Sequence, residues 1–291
     1  MDDSGSMDWE TLLDTDSGLL WWNGSTAWGT GRPLQSSGLT PYAYLFPVGT
    51  VTGGQIYAYN SVYGQSLPPT DQFAWARSAR FNPVYYDSQV TYKPWAPAYV
   101  DGALRNYGNA SITAALSHPA YGTGPSLNLT ADWTSAAANW QVNGYRFYVQ
   151  AGMWLPAGAR VVANAVSAAN PATDDVACRG STERTLTTTM RVQNGRACWA
   201  SIPYYPATFW HAEACTVGAG CVLGPDGTTT LKRYEIRNGN TFPSGRSYAN
   251  EIQNFANWFT YYRKRKLMAG GAMGRVLEDM TGLRLGTMLY S

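Results

Sequence analysis

The sequence predicts an α/β module cut open by a large, mainly β, loop-rich insertion, and three observations carry that expectation. A polar turn with the spacing of a metal-binding loop, Asp2-Asp3-Ser4-Gly5-Ser6-Met7, opens the chain. A long amphipathic helix followed by a strand is written into residues 247–291. Between them lie roughly 240 residues rich in Gly, Pro, Asn and aromatic side chains, well beyond an ordinary connecting loop. The expected organisation is a first metal-site loop at 1–8, an inserted β-rich domain at 9–246, and the helix and strand of the host module at 247–291. The fold class is α+β or α/β, with the host module incomplete.

The opening turn has a chemical logic. Magnesium prefers octahedral oxygen coordination, keeps several waters and takes few protein ligands. Asp2, Ser4 and Ser6 place one carboxylate and two hydroxyls on a tight Gly-containing turn, half of such a shell. The same residues read equally as a plain polar turn, because short motifs match by chance. Asp2-x-Ser4-x-Ser6 resembles the first metal loop of a von Willebrand factor A domain, a Rossmann-like fold in which the loop follows a central strand and leads into a helix. That resemblance implies a further Thr and Asp from two later loops, and neither loop is expected in this chain. Magnesium or another divalent cation is therefore expected to bind weakly or not at all, and no organic cofactor is expected.

The helix begins with Ser247 as a cap and Glu251 in the first turn. Ile252, Phe255, Phe259, Tyr262, Ala269, Met273, Val276 and Met280 then recur near helical period, interrupted by Lys266. Gly270, Gly271 and Gly274 weaken the pattern locally. Thr281-Gly282 ends it, and residues 283–289 read as the following strand. The basic run Arg263-Lys264-Arg265-Lys266 reads as a solvated helix face rather than a nucleic-acid patch, since the chain carries a net charge of only +2.

In the middle, residues 43–46, 55–59, 145–149 and 232–237 have the aromatic and β-branched content of strands. Residues 131–139 are the best helical candidate there. Cys178, Cys198, Cys215 and Cys221 permit three pairings, of which the sequential one is preferred. Their spacing lacks the paired C-x-x-C knuckles of a structural zinc site. Disulfides imply a periplasmic or extracellular setting. Of the 12 tryptophans and 20 tyrosines, Trp21 and Trp22 beside Asn23-Gly24 are the candidates for an exposed binding surface. Tyr85, Tyr86, Tyr92 and Trp95 read as packing around fixed Pro turns.

Three blocks together carry a family resemblance. Glu251-Ile252-Gln253-Asn254-Phe255-Ala256-Asn257-Trp258-Phe259-Thr260-Tyr261-Tyr262-Arg263 and the upstream run from Phe81 to Trp95 are similar to segments of the PilC/PilY family, the type IV pilus tip-associated adhesin and assembly proteins. The Asp-Asp-Ser-Gly-Ser-Met start is the third. The resemblance spans essentially all 291 residues and matches the amino-terminal portion of such proteins, without their carboxy-terminal propeller-like domain. It implies binding to minor pilins and to a host or abiotic surface receptor, at the pilus tip, the outer membrane surface or outside the cell.

Composition agrees with export: 14% charged and 14% aromatic residues, with many turn formers. No nucleic-acid partner and no transmembrane segment are expected, because no apolar run approaches about 18 residues. No signal peptide opens the chain, so the expectation is a start inside a longer coding region. Enzyme chemistry is not expected. The two histidines, His118 and His211, have no partnered motif, and no nucleophile elbow, P-loop or H-E-x-x-H occurs. His211-Ala212-Glu213 lacks the P-C-x-x-C that a zinc deaminase requires. The abundance of Trp and Tyr keeps a second class open, an extracellular carbohydrate-binding protein or a glycoside hydrolase using two carboxylates.

Overall fold

The computed structural model describes residues 5–15, 18–22, 40–46, 66–100, 102–119, 126–133, 146–162, 175–176, 183–193, 197–218, 220–278 and 280. Their centre is a helix, α1 (Tyr248–Tyr261), buried on nearly every side. Ser247 caps it as expected, its side chain accepting from the Asn250 N–H. Phe255, Trp258 and Phe259 supply the apolar body, against Phe46, Tyr85 and Tyr86. Such edge-on and tilted ring contacts suit the quadrupoles of aromatic pairs.

A helix buried all round normally reads as apolar all round. Here Glu251, Asn254 and Asn257 are buried as well, and each is matched to backbone or side chains of residues 86–92 and 109–110, which lie outside any strand. Asn257 Oδ1 accepts from the Ala110 N–H at 2.9 Å while its Nδ2 donates to the Tyr92 carbonyl at 3.0 Å. Trp258 Nε1 donates to the Val84 carbonyl, and the Tyr261 and Tyr262 hydroxyls donate to the carbonyls of Gly108 and Lys93. Residues 82–97 lack strand partners of their own. Side chains of α1 satisfy their buried polar groups in place of a sheet, as burial of backbone requires.

The predicted single helix over 247–280 is instead two. The residue after α1, Tyr262, leaves helical geometry (φ −138°, ψ −11°), and α2 runs over Arg265–Glu278. The apolar stripe holds in α1, whereas on α2 Met273, Val276 and Leu277 are exposed. Two of the expected weak points have a packing reason. A Cβ on Gly271 would stand 2.5 Å from the Tyr262 ring and 2.9 Å from Trp95 Nε1, and Gly270 faces the same indole. The glycines let Trp95 lie against α2, where its Nε1 donates to the Tyr261 carbonyl.

The sheets are small and mostly antiparallel. Glu183–Thr185, Arg160–Val162, Ala197–Ser201 and Arg146–Gln150 form one of four strands, and Thr208–Ala212, Thr230–Glu235 and Cys221–Leu223 form one of three. Asp175–Val176 runs parallel to Met190–Val192, which pairs antiparallel with Trp154–Leu155. Three two-stranded pairs complete the set. The architecture is thus mixed α and β, and among the described residues there is no doubly wound parallel sheet.

Strands expected at 145–149 and 232–237 are present within a residue or two. Over 43–46, Tyr44 makes an isolated parallel bridge to Ser66 beside the Thr40–Tyr42 strand. Residues 55–59 and 283–289 lie outside the described residues. Ala131 to Trp133, the described start of the helix expected at 131–139, is a bend ending in a bridge from Trp133 to Tyr204.

One continuous hydrophobic cluster takes in Leu13, Trp22, Phe73, Phe147, Phe209 and Phe255. Tyr85, Tyr86 and Tyr92 belong to it, with Trp95 packed against it, as expected of fixed aromatic turns. The expectation for Trp21 and Trp22 is corrected. They are 7% and 2% exposed, on a strand (Leu20–Trp22) paired with Thr40–Tyr42. Trp22 stacks edge-on to Phe73 and donates to the Ala151 carbonyl, so burial of a large apolar surface decides its place.

Candidate functional site

The site that gathers the most chemistry lies where the amino-terminal segment meets the break between α1 and α2. Residues Gly5–Asp8 form a short 3-10 turn. From it and the residues just after, Asp8 and Glu10 point into the junction, where Arg263 and Lys264 meet them. Arg263 Nε donates to Glu10 Oε1 at 2.8 Å, and Lys264 Nζ lies 3.1 Å from Asp8 Oδ1. Arg263 and Lys264 are each 1% exposed. Arg265 donates to the carbonyls of Thr11 and Gly18 and covers the Trp9 ring, while its N–H donates to the Trp9 carbonyl.

The basic run is therefore corrected: three of its four residues are the bolt that holds residues 8–11 and Gly18. Tyr262 leaving the helix at the end of α1 turns these side chains inward, a change of direction that periodicity alone did not foresee. In a chain with only 14% charged residues, Asp8 and Glu10 near one end and four cations near the other were the signal that could have found the pairing.

Electrostatics here are set by burial. Glu10 Oε2 also accepts from the Leu45 and Phe46 N–H groups, so its charge is fully partnered, as a buried carboxylate requires. Burial is the largest influence on Lys264 and holds it at about 8, below the ordinary 10.5, with Arg263 adding repulsion and Asp8 and Glu10 opposing it. His118 lies within reach of the same cations. Burial first, then Lys264, Arg263 and Lys266, lower it to about 4. Burial also raises the Tyr44 hydroxyl, with Asp8 and Glu10 next.

Of the predicted metal ligands, Asp2 and Ser4 lie outside the described residues, and Ser6 sits half-buried on the 3-10 turn. Among the described residues no cluster of three or more His, Cys, Asp or Glu could hold a metal ion. The nearest carboxylates, Asp8 and Glu10, are neutralised by Lys264 and Arg263. What the described residues offer a divalent cation is one hydroxyl, which does not make a magnesium shell.

Cys215 and Cys221 are bonded, with Cα atoms 6.2 Å apart, as the sequential pairing expects. Cys178 lies outside the described residues, and Cys198 is on the Ala197–Ser201 strand opposite Val149. His211 pairs across strands with Lys232, while Glu213 accepts from the Tyr234 hydroxyl and pairs with Lys232. This is a surface ion-pair ladder of small energetic weight.

Two adjoining clefts share Ala79 and Asp87 as a wall. The larger, about 520 Å³, runs between Val90, Tyr92 and Tyr262 on one side and Met268, Ala272 and Arg275 of α2 on the other. The smaller, about 230 Å³, is bordered by Arg80, Gln89, Trp210 and His211. Their linings mix apolar walls with a few charges, which suits binding. No helix among the described residues is long and apolar enough to cross a membrane.

Compared with known proteins, the chain matches no family model, no curated protein and no solved structure.

Proposed function

We propose that the chain acts by binding, as a type IV pilus tip adhesin and pilus-biogenesis factor of the PilC/PilY kind, exported and working at the pilus tip or cell surface. One observation carries the reading. Two of the sequence blocks that resemble that family, far apart in the chain, pack against each other, and residues just after the third reach the same place. Tyr86 donates to Glu251 at 2.8 Å, and the residues just after the opening block reach the end of α1 through Glu10 and Arg263. In this reading the opening turn and the helices after residue 247 belong to an A-domain-like module, the minor pilins are the partners, and a host or abiotic surface is the target.

The carbohydrate reading rested on Trp and Tyr abundance. Among the described residues most of those rings are core, with Tyr99 at 76% exposure an exception, so no specific observation favours it. The test is direct binding of the purified chain to purified minor pilins by biolayer interferometry, with a glycan array alongside. Saturable pilin binding without glycan signal is expected. Glycan binding with no pilin binding would remove the proposal.

A further inference from the structure

We propose that Lys264 and Asp8 are joined by an intramolecular isopeptide bond, a self-made covalent link between the amino-terminal turn and the start of α2. The pair is arranged for it. Lys264 Nζ stands 3.1 and 3.3 Å from the two Asp8 carboxyl oxygens, so amine and carboxyl group are held in direct contact, and a small rotation of the carboxyl group would present Cγ to the amine. The two side chains are 1% and 7% exposed, which keeps bulk water from the reacting atoms.

Lys264 is also activated as a nucleophile. A lysine becomes nucleophilic when it is desolvated or placed beside a second cation, and Lys264 has both, through its burial and through Arg263. Glu10 faces the pair too, but its oxygens are held by Arg263, Leu45 and Phe46. Arg265 and Lys266 follow on α2, and His118 lies on the cationic side. The remaining group is Tyr44, whose hydroxyl bonds to Asp8 and whose ring lies 6.0 Å from Lys264 Nζ. The Tyr44 hydroxyl, held high by burial and by Asp8 and Glu10, is no acid of its own, but it is placed to relay a proton to the carboxyl oxygen as it leaves.

The step balances without any co-reactant. The ammonium hands one proton to the carboxylate, giving a neutral amine and a carboxylic acid. The Nζ lone pair attacks Cγ, a Cγ–N bond forms, and one Cγ–O bond breaks. The departing oxygen leaves as water, carrying the acid's proton and one from nitrogen, relayed by Tyr44. The product joins positions 256 residues apart, so tension between the two ends is borne by a covalent bond. This inference stands apart from the pilus reading.

The test is the mass of the full chain, folded, then reduced and alkylated. The expected mass is one water below that of the sequence, and digestion yields a branched peptide holding Asp8 and Lys264. Tandem fragmentation of that peptide separates it from a cyclic imide at Asp8, which also loses water but joins nothing. Lys264→Arg restores the full mass. Asp8→Asn gives the same branched peptide, with ammonia lost instead of water, and Tyr44→Phe slows its appearance. A folded wild-type chain of unaltered mass, or a water loss without the branched peptide, overturns the proposal. An unslowed Tyr44→Phe overturns the role given to Tyr44.

Discussion

Asn254 brackets the backbone of Tyr92: its Oδ1 accepts from the Tyr92 N–H at 2.7 Å, and its Nδ2 donates to the Val90 carbonyl two residues earlier at 2.8 Å. One side chain of α1 thus does for residues 90–92 what a neighbouring strand would do. Asn254→Leu leaves the buried Tyr92 N–H unpaired, while the Val90 carbonyl keeps Arg246 as a donor, a loss of about 1–3 kcal/mol in unfolding free energy. Asn250→Ala, on the exposed face of the same helix, should change stability by less than about 0.5 kcal/mol. Urea denaturation of both variants makes the comparison, and equal midpoints would contradict the bracketing role.

The Glu10–Arg263 pair is fully buried, so removing one partner leaves an uncompensated charge. Arg263→Met should cost about 3–5 kcal/mol. Glu10→Leu should cost at least as much, because it also strips the acceptor from the Leu45 and Phe46 N–H groups. The double variant should lose less than the sum of the two. A double-mutant cycle by denaturant unfolding measures the coupling, and simple additivity would mean that the two residues do not act as a pair.

Two glycines of α2 should respond in opposite directions. Gly271→Ala forces a methyl against Tyr262 and the Trp95 indole, where the closest approach is 2.5 Å, and lowers the melting temperature. Gly274→Ala meets nothing within 4 Å and should add up to about 1 kcal/mol through helix propensity. Thermal unfolding followed by circular dichroism reads both, and a stabilising Gly271→Ala would show that Trp95 does not pack tightly there.

His118 makes stability fall in acid. Its folded-state proton affinity is lowered from 6.5 to about 4 by burial and then by Lys264, Arg263 and Lys266. Between those two values the unfolded chain binds more protons than the folded one, so unfolding free energy declines as pH drops. His118→Gln should flatten that part of the curve relative to wild type. Melting temperatures of the two proteins across the interval, in matched ionic strength, give the difference. A constant difference would place the histidine in an ordinary solvated setting.

Several elements were readable from local pattern. The Ser247 cap, the amphipathic stripe of α1, the strands near residues 146–150 and 230–235, and the core role of Tyr85, Tyr86 and Tyr92 all rest on short-range periodicity, turn chemistry or side-chain type. The pairing of Cys215 with Cys221 was likewise the expected one. Two expectations failed for one reason. Trp21 and Trp22 beside Asn-Gly suggested exposure, and the run from Arg263 to Lys266 suggested a solvated face. In each case the environment comes from residues far along the chain: Phe73 and Ala151 for Trp22, and Asp8, Glu10, Thr11 and Gly18 for the cations.

By itself the sequence determined the helix start, the strand periodicities and the aromatic wealth from which a core could be built, because these depend on neighbours within a few residues. Tertiary structure alone decided which polar groups would be buried. Desolvation is costly unless a partner stands at hydrogen-bond distance, and for Asn254, Arg263 and Lys264 those partners lie more than a hundred residues away. Where the helix breaks at Tyr262, direction changes, and with it the fate of every charge that follows.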